Sequence, residues 1–424
     1  MSKGAIYDVA VIGAGAAGTM AAIRAGELGR KALLIERNNS IGKKILLTGK
    51  GRCNITNSAS IDTFIEKFQE QGEFFRTAFH KFFNQDLIDF FQAKGLELKE
   101  ERQGRVFPAT DKAESVLEVF NKCLVDNKID TLFNTRLVGI NIEDAGFKLA
   151  LDNNNSIHAK KAILATGGIS YKATGSTGDG FLIAKKLGHE ITPLKPALVP
   201  LKVSQPWIKQ LQGLSLRNIR ISFECAKKKK ASAIGELMFT HFGISGPLVL
   251  DLSGEIVNLL EKHKKIDLFI DFKPALKREQ LETRLLKEFK ARGNMQLKSI
   301  MKGLLPQRMI QVFICLLNLN PMVKLNQITQ GQRRSIINLL KALPLTVTGA
   351  LPIEEAMVTN GGVSTKQINP RTMESRLVSG LYFVGEIIDG CAPSGGYNLQ
   401  QAFSTGYLAG EEAARQVNQL KDKG

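Results

Sequence analysis

The sequence predicts an α/β protein whose sheet is drawn from both ends of the chain and interrupted by a long insertion. Three observations carry that expectation. An apolar strand at residues 7–12 (YDVAVI) runs into GAGAAG and then a helical pattern over 19–28; a second strand, 161–164, ends in the turn ATGG; a third, 380–384, ends in Gly385-Glu386. Strands alternating with glycine turns and helices are the pattern of a parallel nucleotide-binding sheet. All three strands must join one sheet, so the segment between the second and third is an insertion.

The first element is the most specific. Gly13 permits the tight turn, Gly15 lets backbone approach a pyrophosphate, and Gly18 lets the helix pack on the strand. The helix N-terminus, which follows Ala16 and Ala17 of this turn, then faces phosphates. The next strand, 31–35, ends at Glu36 and is followed by Arg37. A carboxylate at that distance accepts hydrogen bonds from an adenosine ribose and favours an unphosphorylated one, hence FAD or NAD rather than NADP. The remote turns favour FAD. Ala165-Thr166-Gly167 passes backbone by the cofactor, and Gly385-Glu386 brings an acid towards the ribityl and pyrophosphate. The fold class is therefore a discontinuous Rossmann-like FAD-binding domain with an insertion. Beyond Glu386, Gly395 and Gly396 open the last helix at Tyr397-Asn398-Leu399. Its first N–H groups either stabilise charge on the pyrimidine edge of reduced flavin or begin an ordinary glycine-capped helix.

Residues 43–57 read KKILLTGKGRCNITN. The glycine and lysine spacing is not that of a Walker loop, which argues against nucleoside triphosphate hydrolysis. In a fold of this kind the chain leaving Glu36 tracks along the cofactor, so Lys44, Gly51, Arg52, Cys53 and Asn54 are expected beside it. Cys53 has no CxxC or CxxxxC partner and is no dithiol shuttle. It is either a proton donor beside the flavin or a small buried packing residue. His241 and Ser245, in FTHFGISGP, are candidates for proton handling and substrate contact, with a structural role between backbone segments as the alternative. Arg105 is either an anion contact or half of a salt bridge.

The 424 residues, 43% of them hydrophobic, suffice for two or three domains with full cores. Five scattered cysteines exclude a disulfide scaffold, and no Cys/His cluster has zinc spacing, so no metal is expected. A reducing cytoplasm is the expected compartment. No signal-peptide layout and no membrane-length apolar run is present, so no stable membrane association is expected. The net charge is +18, and residues 191–345 hold 26 Lys/Arg against 10 Asp/Glu, an excess of 16. Such asymmetry marks a surface that meets a polyanion, nucleic acid or acidic lipid, or else a solubilising face. Lys227, Lys228, Lys229 and Lys230 form either a solvated turn or a phosphate contact within it.

Taken together, GAGAAG, TGKGRCNITN, RVFP (105–108), ATGGISYKATGSTGDG (165–180), GELMFTHFGISGP (235–247), VTNGGVS (358–364) and GLYFVGEIIDG with GGYNLQQAFSTG (380–406) resemble one family over essentially the whole chain. It comprises the flavoproteins called HI0933-like, BaiN-like or aminoacetone-oxidase-like. Two departures are local: Lys172 stands where the family usually has proline, and Gly390-Cys391 replace a hydrophobic–acidic pair. The resemblance implies an FAD-binding domain over 1–190 and 350–424, an inserted mainly β domain over 191–273 and 343–349, and a helical subdomain over 274–342. The apolar spacings at 278–291, 304–318 and 330–342 independently suit amphipathic helices. The family's activities are reduction of unsaturated steroid-like substrates, oxidation of a small amino-ketone, and reduction of uridine to dihydrouridine in ribosomal RNA. No second GxGxxG follows a strand, so NAD(P)H, as electron donor, would visit the flavin only transiently. The charge excess favours ribosomal RNA as the partner, with a small-molecule enone reductase or aminoacetone-type amine oxidase as the alternative and a non-catalytic flavin-bearing RNA- or membrane-surface-binding protein as a further one.

Overall fold

The computed structural model describes residues 6–225 and 228–421, so Lys227 lies outside the described residues. The chain divides into two compact units, Met1–Lys195 with Ile353–Gly424, and Pro196–Pro352.

In the first unit the strand Ile6–Ile12 lies at the centre of a parallel array. Ala32–Ile35 pairs with it on one side and carries Asp130–Leu132 beyond; Ser156–Leu164 pairs on the other side. Leu381–Phe383, from near the C-terminus, adds parallel to Ser156–Leu164, Leu381 opposite Ala162. The antiparallel strands Gly146–Leu151 and Leu137–Glu143 extend the sheet. Ala32–Ile35 is buried at every position rather than at alternate ones, the mark of a parallel strand covered on both faces. The helices Ala16–Glu27 and Tyr397–Lys421 meet backbone to backbone. A Cβ on Gly406 would come within 2.2 Å of the Ala17 carbonyl, and one on Gly410 within 2.4 Å of the Ala21 carbonyl. Small residues one turn apart thus bring the two ends of the chain into one layer.

The second unit is built on a closed antiparallel barrel. The strands follow in the order Ser215–Cys225, Gly235–Phe239, Gly243–Ser245, Leu201–Val203, Leu343–Ala350 and Ile266–Asp271, and the last pairs back onto the first from Arg220–Asp271 to Glu224–Asp267. Closure leaves none of these six strands as a bare edge. Lys228–Ala231 adds a short antiparallel strand beside Ser215–Cys225. Alternation in Ile266–Asp271 puts Ile266, Leu268 and Ile270 in the core. The helices Arg278–Ala291, Gln307–Leu316 and Gln330–Lys341 belong to the same apolar cluster through Leu285, Phe313 and Ile337.

Candidate active site

Four motifs that are far apart in sequence converge in the first unit. The glycine turn is the first. A Cβ on Gly13 would lie 2.4 Å from the Ala165 carbonyl and one on Gly18 1.9 Å from the Gly13 carbonyl, whereas one on Gly15 would meet nothing within 4 Å. Two of the glycines therefore serve the packing of turn, helix and ATG segment. Gly15 alone opens onto space, at the N-cap of a 12-residue helix with no acidic residue in its first turn. Its first N–H groups, including those of Ala16 and Ala17, have no partner within the helix.

Glu36 closes the turn from the other side. Its carboxylate accepts the Ala14 N–H at 2.7 Å, the Asn38 N–H at 2.9 Å and the Asn38 side-chain amide at 2.7 Å. A carboxylate offers about four lone-pair sites, so it retains room for a further donor such as a ribose hydroxyl. Arg37 is engaged by Thr177 and Asp179. Arg136 also holds Asp179, and it is the main cause of that carboxyl's lowered pKa.

The lysine–glycine loop is a left-handed excursion. Gly49, Lys50, Gly51 and Cys53 all have positive φ, 57°, 59°, 83° and 62°. For Lys50 and Cys53 that conformation is strained, a state that persists where the surroundings over-determine it. Cys53 is fully buried, and burial pushes its thiol up to about 12, so the group is a neutral S–H at any physiological pH. Arg52 turns away to Glu101 at 2.7 Å and Asp111 at 3.2 Å, stacked over Phe107. The residues after Cys53 are stitched to the start of the last helix: Thr56 donates to Gln400 at 2.6 Å, Asn57 to the Gly395 carbonyl at 2.9 Å, and a Cβ on Gly396 would strike the Thr56 carbonyl. Tyr397 packs edge-on against Phe64, Asn398 exchanges hydrogen bonds with the backbone of Ala392, and Leu399 borders the core.

The Gly-acid turn completes the group. Gly385 packs on Ala17 and its N–H donates to Thr405. Glu386 accepts from Lys44 at 2.6 Å, Ser170 at 3.0 Å and the Thr359 N–H at 2.8 Å, and Lys44 also donates to Ser170 at 2.9 Å. Ser170, two residues beyond ATGG, and Thr359, in VTNGG, were given no chemical role from sequence; two hydroxyls beside glycine turns were the available signal. Arg105 donates to the Arg102 carbonyl within its own turn. Asp389, also unassigned from sequence, has its pKa raised by burial and accepts from Gln71. Burial likewise pushes the Cys391 thiol up to about 12.

The remaining predicted residues lie in the second unit. His241 is exposed in the turn joining Gly235–Phe239 to Gly243–Ser245, edge-on to Phe242, and Ser245 ends the second of those strands opposite Met238. Lys230 is ion-paired with Glu255. Lys228 and Lys229 lie in the added strand. Among the described residues there is no group of three or more His, Cys, Asp or Glu able to hold a metal ion, and no helix is long and apolar enough to cross a membrane.

Two further features show that the first unit suits an extended dinucleotide. The side-chain oxygens of Asn54 and Thr166 are buried without a partner, one in the left-handed loop and one in the ATG turn. Native structures rarely leave such atoms unmet, and together with the open face of Gly15 they match a polar ligand running from glycine turn to loop. A parallel sheet bearing this turn, Glu36 at the end of its second strand and the remote Gly-acid turn defines an FAD-dependent oxidoreductase. The chain belongs to the HI0933-like protein Rossmann domain family, whose model matches residues 7–412. It is 32% identical over 408 residues to the 3-dehydro-bile acid delta(4,6)-reductase of Clostridium scindens, covering 96% of this chain and 98% of that one. It is 30% identical over 414 residues to the ribosomal RNA dihydrouridine synthase of Escherichia coli, with the same coverage. In fold it is similar to 3-ketosteroid delta1-dehydrogenase from Sterolibacterium denitrificans, with a TM-score of 0.56 at 14% identity over 97% of this chain and 100% of that one.

Proposed function

We propose that this flavoprotein saturates a polarised carbon–carbon double bond, that the bond is the one in the uracil ring of uridine in ribosomal RNA, and that NAD(P)H is the reductant. Bound FAD supplies the hydride. The protein binds and orients the cofactor through the Gly15 turn, Glu36 and the Glu386–Lys44 pair. The carbon next to the hydride acceptor needs a proton, and the neutral Cys53 thiol is a donor that no physiological pH removes; His241 is the other candidate.

The observation that carries the RNA reading is the excess of 16 positive charges over residues 191–345, because phosphate neutralisation supplies affinity for RNA and nothing of the kind is needed for a small apolar substrate. A base inside a duplex cannot lie against a flavin, so the uridine must be unpaired or extruded, at a cost of a few kcal/mol that backbone contacts offset. A second reading, reduction of a small enone, is favoured by the similarity to the bile acid reductase; oxidation of an aminoacetone-type amine is the third. Dihydrouridine content of ribosomal RNA, compared in cells with and without the protein, decides among them. Equal content in both, with turnover of a steroid enone or an amino-ketone by the purified protein, would overturn the RNA reading.

A further inference from the structure

Between Glu288 and Glu354 lie 65 residues with no Asp or Glu and nine Lys/Arg, whereas 40 acidic residues in 424 would place about six in a stretch of that length. Three of the nine cations are engaged or enclosed. Lys341 pairs with Asp271 at 2.6 Å, Arg308 donates to the Gln210 carbonyl at 2.8 Å, and the Arg333 Nε is buried. The other six, Lys290, Arg292, Lys298, Lys302, Lys324 and Arg334, are exposed, and none is paired with a carboxylate among the described residues. Elsewhere in this unit some exposed cations do find acids, as Lys230 finds Glu255 and Arg284 finds Glu288.

Three of the six are gathered by the backbone. The chain at 293–298 runs antiparallel against 321–326, with Leu297 N–H on the Val323 carbonyl at 2.9 Å, Lys298 N–H on Pro321 at 3.1 Å, Leu325 N–H on Met295 at 3.0 Å and Asn326 N–H on Gly293 at 3.0 Å. Gln296 bridges Lys324 in this pairing. The ladder sets Lys298 and Lys324 on adjoining segments, with Arg292 directly before the first of them at the C-cap of Arg278–Ala291. Met295 and Met322 stand on the same two segments and are 36% and 50% exposed. A bare solubilising face needs no exposed methionines, and acids serve solubility better than lysines. Cations without acids beside flexible apolar side chains fit a strand whose phosphates need neutralising and whose unstacked bases need an apolar neighbour.

We propose that this acid-free tip, Arg292, Lys298 and Lys324 with Met295 and Met322, is an RNA-docking surface that takes single-stranded or looped backbone. The inference rests on the RNA reading above and locates it on the barrel-bearing unit, at residues other than the four-lysine run, in which Lys230 already has a carboxylate partner.

The test is a filter-binding titration on protein-free large-subunit ribosomal RNA across a salt series, with the FAD-loaded full chain. The triple variant Arg292→Gln, Lys298→Gln, Lys324→Gln is compared with a control triple, Lys262→Gln, Lys264→Gln, Lys265→Gln, whose exposed lysines follow the helix Pro247–Leu260. Each phosphate contact contributes about 0.7–0.9 to the slope of log K against log[salt]. The tip variant should therefore flatten the slope by about 2 and weaken binding at low salt at least tenfold, with FAD content and melting temperature unchanged and the control triple close to wild type. Equal loss in both triples, or none in the tip variant while wild type binds with a steep slope, overturns the surface and leaves the RNA reading standing. Weak, salt-independent binding by wild type overturns both. Tip-dependent binding to phosphatidylserine vesicles without RNA binding assigns the surface to a membrane and also overturns the proposal.

Discussion

Lys44 Nζ lies 2.6 Å from Glu386 Oε2, which ties the loop after Glu36 to the Gly-acid turn 342 positions later. Ser170 contacts both partners, and the Thr359 N–H fixes the second carboxylate oxygen. The pair is a fifth to a quarter exposed, so it is neither a screened surface bridge nor a desolvated core pair. Lys44→Met keeps the length of the stem and removes the charge. Hydrogen bonds to charged groups are worth about 1.5–3 kcal/mol, and the low end of that range corresponds to FAD binding about tenfold weaker. Fluorescence titration of apoprotein with FAD measures it; unchanged affinity would make the pair incidental to the cofactor.

Gly15 and Gly18 separate binding from folding. Gly15→Val places its side chain where nothing stands within 4 Å, so the apoprotein should melt close to wild type while losing FAD. Gly18→Ala drives a methyl into the Gly13 carbonyl, and strain of this kind costs about 1–3 kcal/mol or more. It should lower the melting temperature of the apoprotein itself. If Gly15→Val retains full yellow colour after gel filtration, the pyrophosphate does not pass this turn.

His189 should make stability fall in mild acid. Its ring is buried, with one nitrogen 3.2 Å from the Ala184 carbonyl and the other 2.7 Å from Ser375 Oγ. That hydroxyl already accepts from the Leu377 and Val378 N–H groups, so it donates to the imidazole, which must be neutral. Burial lowers the histidine's pKa, and the unfolded chain therefore takes up the proton first, near pH 6.5. The stabilisation is fully present above about 6.5 and is lost as pH falls from there through the folded value. Melting temperature should drop between pH 7.5 and 5.5 in wild type and drop less in His189→Gln; parallel curves would remove His189 as the cause.

The sheet and the glycine turn were legible because each depends on local spacing: a strand, then Gly13, Gly15 and Gly18, then a second strand ending at Glu36. Side-chain partners across the fold were not. Nothing in TGKGRCNITN announces that Arg52 pairs with Glu101 and Asp111, since those acids come 49 and 59 residues later. The Thr56–Gln400 bond that joins the loop to the last helix spans 344 positions. Barrel closure was equally hidden, because the pairing of Ser215–Cys225 with Ile266–Asp271 depends on register between strands that sequence presents as separate alternating runs.

Cys53 is where loop geometry and chemistry meet. A buried cysteine is usually a small packing residue, and its 0% exposure agrees with that role as well as with catalysis. Its backbone is left-handed, φ of 62° following left-handed Gly49, Lys50 and Gly51, but the buried Met373 has φ of 63° as well, so kinetics and not backbone strain separates the two roles. As proton donor the thiol acts with a pKa pushed up to about 12, so it stays protonated from pH 6 to 10 and gives the oxidation of reduced enzyme by substrate no inflection of its own in that range. Cys53→Ala should leave reduction of the flavin by NAD(P)H intact and slow substrate-dependent reoxidation by the roughly 10²–10⁴-fold typical of general acid catalysis. Cys53→Ser retains a protonated donor of similar size and should recover part of that loss, which a packing role would not predict, since both variants perturb the same cavity. Stopped-flow absorbance of the two half-reactions separates the cases. Reoxidation at the wild-type rate in Cys53→Ala, with FAD content preserved, returns the residue to packing and leaves His241 as the remaining candidate acid.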